Sequence, residues 1–257
     1  MADNRKPDWV NNPNDWEIVF EDLFDQASLD LVKWNAGTPF DTPNIGGGSD
    51  EKGMYDASAL QFGGGKLSIV ATKPTEEVPF WNGSYWPYVS GMIQTANKFS
   101  CQYGYFEIEC QMPLGQGFWS AFWMLPGDPV GTWPPEWDVF EHHGHDPHTM
   151  YYSMHYVNEA DEIIHDTRTF KGPNMHKYFN RYAFDVKPGG NVDFYFNGIR
   201  RDSWTNIPNL DHAIYPLANV AVGGNWPGDP DETTPFPGKM VVKHIRIRRR
   251  KDNYGLA

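Results

Sequence analysis

Hydrophobic and polar residues alternate in short runs along most of the chain, and clusters of glycine, proline and asparagine separate the runs. Residues 66–71 (KLSIVA) and 192–196 (VDFYF) are examples, with the period of two that is typical of β-strands. Asn197 and Gly198 join two such runs and favour a tight hairpin turn. We find no long amphipathic helical pattern, repeat or low-complexity linker. The pattern predicts an all-β sandwich, in a single domain over residues 1–257 with an ordered core from about 15 to about 250.

One predicted strand carries three carboxylates among bulky apolar residues, because residues 136–141 have the sequence EWDVFE. Burying carboxylates in such surroundings costs free energy, so the cluster calls for a chemical role. In a regular strand Glu136 and Asp138 share one face, whereas Glu141 points to the other. One extra residue at Val139 or Phe140, a β-bulge, returns Glu141 to the face of Glu136. We therefore predict a bulge between Asp138 and Glu141.

Such a bulge allows the carboxyl groups of Glu136 and Glu141 to approach to about 5 to 6 Å, the separation found in retaining glycosidases. One carboxylate then attacks the anomeric carbon and the other protonates the leaving oxygen, whereas an inverting enzyme needs roughly 6.5 to 9.5 Å. Asp138 lies between them, where its charge opposes ionisation of a neighbour and its oxygens can hydrogen-bond the nucleophile. The alternative is an acidic edge strand whose carboxylates are simply solvated.

The motif Glu136-x-Asp138-x-x-Glu141 resembles the catalytic strand of glycoside hydrolase family 16, in its bulged, laminarinase-like form. Four further segments match in the expected order: residues 103–107 (YGYFE), 117–126 (GFWSAFWMLP), 219–228 (NVAVGGNWPG) and 236–240 (FPGKM). The resemblance implies a β-jelly-roll sandwich of two antiparallel sheets with a concave substrate cleft. It also implies that Glu136 is the nucleophile, that Asp138 assists it and that Glu141 is the general acid/base.

The same resemblance suggests substrate-binding residues. Trp133 corresponds to a tryptophan that lies against the sugar next to the cut bond, and Trp119 and Trp226 correspond to aromatic residues that line the donor side. His155 falls on the strand expected beside the catalytic one, where the family often has a histidine that faces the cleft. For each of these residues, a purely structural packing role is the alternative.

Two positions depart from the family pattern and leave the glycan open. Asp50 precedes Glu51 where laminarinase-like members often have an Asn-Glu pair, and Tyr105 stands where many members have arginine. We expect Asp50 and Tyr105 to change contacts with sugar hydroxyls. The two irregular segments at residues 38–53 and 74–88 are expected to form either the rim of the cleft or plain surface connections.

The resemblance also implies a structural calcium ion, held in part by an aspartate of the last strand, where this chain has Lys243. An ammonium group repels a cation, so we predict no calcium there, and we expect no cofactor. The histidine-rich residues 142–148 invite a metal hypothesis, but their spacing matches no known motif and their glycine and proline suggest a turn. We therefore expect no metal at that cluster.

Composition narrows the class of partner. The net charge of −12 argues against nucleic acids and acidic membranes, and 11 Trp, 13 Tyr and 16 Phe are more aromatic residues than a core needs.

The basic residues 246–251 are expected to form a terminal strand with a solvated face. Cys101 and Cys110, up to about 30 Å apart in an extended segment, are expected to be free thiols.

No apolar run approaches the roughly 20 residues of a membrane span, and the first six residues are not followed by the apolar core of a signal peptide. We expect a soluble monomer that is secreted or extracellular as a mature domain, with a cytosolic location as the alternative. The leading functional hypothesis is an endo-acting, retaining β-glycosidase that cuts a neutral β-1,3- or mixed β-1,3/1,4-glucan. The alternatives are the same mechanism on an algal galactan or bacterial exopolysaccharide, transglycosylation, and a non-catalytic glycan-binding sandwich.

Overall fold

The structure is a computed structural model that describes residues 3–39, 50–76, 78–79, 85–130 and 132–255. One short helix (α1, Asp8–Asn11) and three 3₁₀ turns (Pro13–Asp15, Ala57–Ala59 and Asn253–Gly255) are the helical segments of these residues. The strands, in chain order, are β1 (Trp16–Asp22), β2 (Asn35–Ala36), β3 (Gly53–Tyr55), β4 (Leu60–Phe62), β5 (Leu67–Ala71), β6 (Val78–Pro79), β7 (Tyr85–Trp86), β8 (Tyr88–Ser90), β9 (Met92–Gln94), β10 (Gly104–Gln111), β11 (Phe118–Pro126), β12 (Glu136–His143), β13 (Thr149–Val157), β14 (Ile163–Lys171), β15 (Asn180–Lys187), β16 (Asn191–Phe196), β17 (Ile199–Trp204), β18 (Ile214–Val222) and β19 (Gly238–Arg250).

Two large antiparallel sheets account for most strands. The eight-stranded sheet has the order β17-β16-β15-β10-β19-β5-β4, with β1 also paired to β19. The seven-stranded sheet has the order β14-β13-β12-β11-β18-β9-β2, so the strand with the three carboxylates lies between β11 and β13. The prediction of an all-β sandwich of two antiparallel sheets is confirmed.

The core lies between the two sheets and follows the alternation in the sequence. On β11, Phe118 and Phe122 point into the core, whereas Trp119 and Trp123 point to the opposite face. We call this opposite face of the seven-stranded sheet the open face. Large buried side chains fill the space between the sheets, including Phe106, Ile108, Phe122, Trp137, Phe184, Ile245 and Ile247. Each such side chain stabilises the fold by about 1.5 to 3 kcal/mol through removal of apolar area from water.

The N-terminal segment covers part of the outer face of the eight-stranded sheet, so the basic strand is less solvated than expected. Residues 246–250 do belong to the last strand, β19, but the guanidinium of Arg248 lies 3.9 Å above the ring of Trp9. Arg248 is also 3.7 Å from Glu107, and Arg246 pairs with Glu21. The N-terminal segment that brings Trp9 to this face is far away in sequence, so strand alternation alone did not indicate it.

Local predictions on turns and cysteines hold. Asn197 and Gly198 connect β16 to β17 with positive φ angles of 52° and 71°, as a two-residue hairpin turn requires. Cys101 and Cys110 are both buried and free. Much of the two irregular segments, at residues 40–49 and 80–84, lies outside the described residues, so their role at a cleft rim stays a prediction. Within the described residues, no helix is long and apolar enough to span a membrane.

Candidate active site

The predicted bulge is present on β12. Asp138 pairs with Ser153 of β13 and Glu141 pairs with Tyr151, so three steps on β12 face two on β13. On the other side, Phe122 and Trp123 pair with Phe140 and Asp138, which makes Val139 the extra residue. Val139 and Phe140 are both fully buried in the core. Glu141 therefore returns to the open face beside Glu136 and Asp138.

Indole N–H groups orient the two glutamates. Trp133 donates from Nε1 to Glu136 Oε2 over 2.7 Å, and Trp119 donates from Nε1 to Glu141 Oε1 over 3.1 Å. Each glutamate keeps its second oxygen for another partner. Trp133 is 47% exposed and Trp226 is 42% exposed, so large aromatic surfaces are available beside the buried carboxylates.

A pair of histidines lies beside Asp138. His155 of β13 places Nε2 3.1 Å from Asp138 Oδ2, and its Nδ1 lies 2.8 Å from Nδ1 of His165 on β14. Trp133 packs over both imidazole rings, with centroids 6.5 and 6.0 Å away. His155 was predicted from the sequence, whereas His165 was not. The alternation of residues 163–171 and their hairpin pairing with β13 were the signals that could have revealed it.

Burial raises the pKa values of all three carboxyls. It raises the pKa of Glu136 to about 8, with a further contribution from the charge of Asp138, and that of Asp138 to about 7. Burial also raises the pKa of Glu141 well above its ordinary value, helped by the charges of Asp138 and Glu136. Glu136 and Asp138 hydrogen-bond each other, so the two carboxyls share protons near neutral pH. This arrangement keeps Glu141 protonated, as a general acid requires.

The raised pKa of Glu136 makes the fold less stable as pH rises, because the folded state binds a proton more tightly than the unfolded state does. The loss begins near the ordinary pKa of 4.5 and is complete above about 8. We expect Glu136→Gln to be more stable than the wild type at pH 8 by about 1 to 3 kcal/mol. Below pH 4.5 the two proteins should have equal stability. Urea unfolding at both pH values measures the difference.

Glu159, an exposed residue remote from the cluster in sequence, provides the control. Glu159→Gln should leave stability unchanged at both pH values. If Glu136→Gln were less stable than the wild type at pH 8, the buried carboxyl would be a net stabiliser and this account would be wrong.

A second group of aromatic residues lies beyond Glu141 on the open face. Trp226 packs against His143 with ring centroids 4.4 Å apart, against Tyr151 at 4.7 Å and against Trp119 at 5.5 Å. Burial lowers the pKa of His143 to about 4, so its imidazole is neutral at neutral pH. The sequence predicted Trp119 and Trp226 here, but not His143 and Tyr151. A neutral aromatic wall of this kind suits the apolar face of a pyranose ring.

A chain of hydrogen bonds crosses the open face from Trp123. Trp123 donates from Nε1 to Asn219 Oδ1, Asn219 donates from Nδ2 to the Tyr55 hydroxyl, and that hydroxyl donates to Glu51 Oε2. The distances are 2.8, 3.0 and 2.7 Å. Glu51 rather than Asp50 therefore joins the network of the open face. Asp50 is exposed and pairs with Lys52 at 2.7 Å, and the structure gives it no contact with the carboxylate cluster.

Tyr105 does not lie at this site, which corrects the expectation from the sequence. It belongs to β10 of the other sheet, where it is 1% exposed on the outer face. Trp9 packs edge-on against it with centroids 5.6 Å apart, and Tyr195 does so at 5.4 Å. The N-terminal segment covers this position, so its side chain has no route to a sugar on the open face.

Residues 142–148 do not converge on a metal. Strand alternation sends His142 into the core, where it packs edge-on against His176, and sends His143 to the open face. Within the described part of the chain, Glu136, Asp138 and His155 are the group whose ligand atoms lie close enough to hold an ion, within 4.8 Å of one another. Glu136 accepts a hydrogen bond from Trp133 and shares a proton with Asp138, so these oxygens already have partners within the protein.

Lys243 does not suit the calcium site that the family resemblance implies. Its Nζ lies 2.7 Å from Glu109 Oε1 and 4.2 Å from the ring centroid of Phe179, so a fixed ammonium group occupies the position.

We expect excess EDTA and added CaCl₂ to leave the melting temperature of the wild type unchanged, measured by scanning fluorimetry. In the Lys243→Asp variant, two carboxylates would face the site, and calcium should then stabilise the protein. Stabilisation of the wild type by calcium would contradict the prediction.

A two-sheet β-sandwich with paired glutamates on one open face has the arrangement of a glycosidase. The model of glycosyl hydrolases family 16 matches residues 49–246, and the chain therefore belongs to this family. An endo-1,3-1,4-beta-glycanase of Rhizobium meliloti is 32% identical over 77% of the chain, which spans 43% of that relative's length. A beta-glucanase of Rhodothermus marinus is 29% identical over 91% of the chain and 85% of its own length.

Solved structures have the same fold. The catalytic domain of an endo-1,3-beta-glucanase (laminarinase) from Thermotoga petrophila superimposes with a TM-score of 0.80 at 31% identity. The superposition covers 92% of this chain and 99% of that domain. The fold and family predicted from the sequence are confirmed.

Proposed function

We propose that this chain is an endo-acting, retaining β-glycosidase that hydrolyses a β-1,3- or mixed β-1,3/1,4-glucan in a single catalytic domain. The observation that carries the proposal is the bulge at Val139, which brings Glu141 to the same face as Glu136 and Asp138. The names of the relatives, a glycanase and a glucanase, support the class of substrate.

In the first step, Glu136 attacks the anomeric carbon while Glu141 gives its proton to the glycosidic oxygen. The indole of Trp133 holds one oxygen of Glu136, so the other oxygen is the nucleophile. The proton that Glu136 and Asp138 share moves to Asp138 as Glu136 becomes an ester. The glycosidic bond breaks, and the products are a free reducing-end fragment and a covalent glycosyl-enzyme.

In the second step, water attacks the anomeric carbon and Glu141 accepts its proton. Formation of the ester removes the charge of Glu136, which is one cause of the raised pKa of Glu141. The pKa of Glu141 therefore falls once the intermediate forms, and its carboxylate becomes available as a base. Two displacements at one carbon retain the β configuration.

The surroundings support a neutral glycan. The exposed rings of Trp133 and Trp226 flank the carboxylates and can each stack on a sugar. A net charge of −12 disfavours a strongly anionic polymer. We further propose that the protein acts as a monomer and is secreted or extracellular, as expected of an enzyme whose substrate is a polymer.

A panel of polysaccharides tests the proposal, with reducing-end release and product sizing as the readouts. We expect early oligosaccharides from β-1,3- or mixed-linkage glucan, and NMR of the first product should show the β anomer. A first product in the α form would exclude the double displacement. Cleavage confined to a galactan or exopolysaccharide would keep the mechanism and change the substrate, whereas binding without cleavage would favour a glycan-binding module.

A further inference from the structure

The open face of β14, the edge strand of the seven-stranded sheet, is linked to the catalytic strand by two lateral rows of side chains. His165 lies opposite His155 on β13, and Thr167 lies opposite Ser153. On the next strand, His155 lies opposite Glu136 and Ser153 lies opposite Asp138. Each row therefore runs from a residue on the edge strand, through a partner on β13, to the carboxylates.

The first row fixes the protonation pattern of two imidazoles. Nδ1 of His155 and Nδ1 of His165 are 2.8 Å apart, so one of them donates and the other accepts. Nε2 of His155 faces Asp138 Oδ2 at 3.1 Å and so carries a hydrogen toward that carboxyl. A neutral His155 then has a bare Nδ1, and His165 must donate to it from Nδ1–H.

This pattern also orders Asp138. With the N–H of His155 Nε2 beside Oδ2 at 3.1 Å, the other oxygen of Asp138 is left for the proton shared with Glu136. The charged or titratable groups that face His155 are Glu136 and Asp138 from β12 and His165 from β14. If His155 adopted its other tautomer, it would present a bare nitrogen to Asp138 and lose this orientation.

The second row consists of hydroxyl groups. The Oγ1 of Thr167 lies 3.0 Å from the Oγ of Ser153, a fully buried residue. The Ser153 hydroxyl in turn lowers the pKa of the Glu141 carboxyl and so opposes the effect of burial. The first row thus ends at the nucleophile and its assistant, and the second ends at the acid/base.

We propose that His165 and Thr167 are positioning residues of the reaction, which act on Asp138 through His155 and on Glu141 through Ser153. The inference rests on the proposed displacement mechanism. Neither residue touches the reacting atoms. Both are exposed residues of an edge strand, a position where polar side chains are usually attributed to solvation alone.

Substitutions of His165 test the first row. His165→Leu removes the donor and should lower kcat by roughly 10- to 100-fold with little change in KM, the size of loss found when the hydrogen-bond partner of a metal-bound histidine is removed. His165→Asn places an amide donor near the position of Nδ1 and should restore most of the loss. His165→Leu no longer holds the His155 N–H toward Asp138, and loss of that N–H disfavours the charged form of the Glu136 and Asp138 pair, so the acidic limb of the kcat/KM profile should move to higher pH.

Thr167 tests the second row through the other limb of the profile. Thr167→Val removes the hydroxyl with little change in shape, so the basic limb, set by Glu141, should move to higher pH. Thr167→Ser should resemble the wild type. Thr169→Val is the matched control, because Thr169 is an exposed threonine on the same face of the same strand with no side-chain hydrogen bond among the described residues. It should leave both limbs unchanged.

The tautomers can be measured without activity. Long-range ¹H–¹⁵N spectra of the imidazoles should show His155 protonated at Nε2 and His165 at Nδ1, and His165→Asn assists the assignment. Protonation of His155 at Nδ1 would overturn the first row even if the enzyme is a glucanase. A rise in KM alone in His165→Leu would make His165 a substrate contact and also overturn the proposal. An inactive wild type would instead reject the proposed function, while the spectra still test the row.

Discussion

Replacement of Glu136 by alanine is expected to lower kcat on the preferred glucan by roughly 10⁴-fold or more, because Glu136 forms the covalent bond in the proposed mechanism. Trp133 donates a hydrogen bond to Glu136, and Asp138 shares a proton with it. Initial rates of reducing-end release, with a coupled assay sensitive enough for the residual rate, measure the loss.

Chemical rescue distinguishes a missing nucleophile from a damaged fold. Alanine leaves a space on the face of the sugar from which Glu136 attacks, and a small anion such as azide fits that space. With an activated aryl β-glycoside, added azide should restore turnover and give the α-glycosyl azide, since a single displacement inverts the configuration. Glu159→Ala, at an exposed position, serves as the control and should neither lose activity nor respond to azide.

The same variant separates an enzyme from a glycan-binding module. Glu136→Ala should still retard in a gel that contains the polysaccharide, because Trp119, Trp133 and Trp226 remain in place. It should also be more stable than the wild type at pH 8, since it loses a buried carboxyl of raised pKa. Full activity in Glu136→Ala would contradict the assignment of the nucleophile.

The part of this site that the sequence could predict is the part governed by local alternation. A period of two and one odd spacing were enough to predict the bulge between Asp138 and Glu141, because a strand has only two faces. The two indole groups that hydrogen-bond the glutamates also lie close to that strand: Trp133 is in the preceding loop and Trp119 is on the adjacent strand. These positions follow from short-range geometry and from pairing with a neighbouring strand.

The errors concern contacts between segments far apart in the chain. Tyr105 lies on a β-strand as predicted, but no pattern in the sequence indicates that Trp9 of the N-terminal segment covers it. The guanidinium of Arg248 lies over the ring of the same tryptophan, so the strand face that was expected to be solvated is partly covered. Asp50 is a local exception, because it pairs with Lys52 two residues away, and strand alternation does not predict such an ion pair.

The residues that the sequence did not reveal depend on contacts outside the motif, and two of them lie two strands away on β14. His165 and Thr167 become meaningful only when β14 is placed beside β13 in register, because their function depends on which side chain lies opposite. His143 and Tyr151 likewise become part of the site only through their contacts with Trp226, which lies in the loop after β18. The register between strands therefore limited the prediction of the site, because alternation within one strand does not determine which side chains lie opposite each other.

Replacement of Glu141 by alanine is expected to have an effect that depends on the leaving group. For the natural glucan, whose leaving oxygen needs a proton, kcat should fall by roughly 10² to 10⁴-fold. An aryl glycoside with a good leaving group departs without protonation, so formation of the glycosyl-enzyme should stay fast while its hydrolysis, now without a base, becomes slow. The expected result is a burst of the aryl alcohol followed by a slow steady state.

Mass spectrometry of the quenched burst should show the protein heavier by the mass of one glycosyl group, attached at Glu136. Azide should accelerate the second step and give the β-glycosyl azide, the opposite anomer to the product from Glu136→Ala, because here it replaces water rather than the nucleophile. Trp119→Phe provides the matched control: it keeps the carboxyl of Glu141 but removes its indole donor, so the rate should fall without a burst. If Glu141→Ala and Glu136→Ala gave the same azide anomer, the two glutamates would not have separate roles. Opposite anomers from residues five positions apart would assign the nucleophile and the acid/base individually, which the raised pKa values of both carboxyls do not do by themselves.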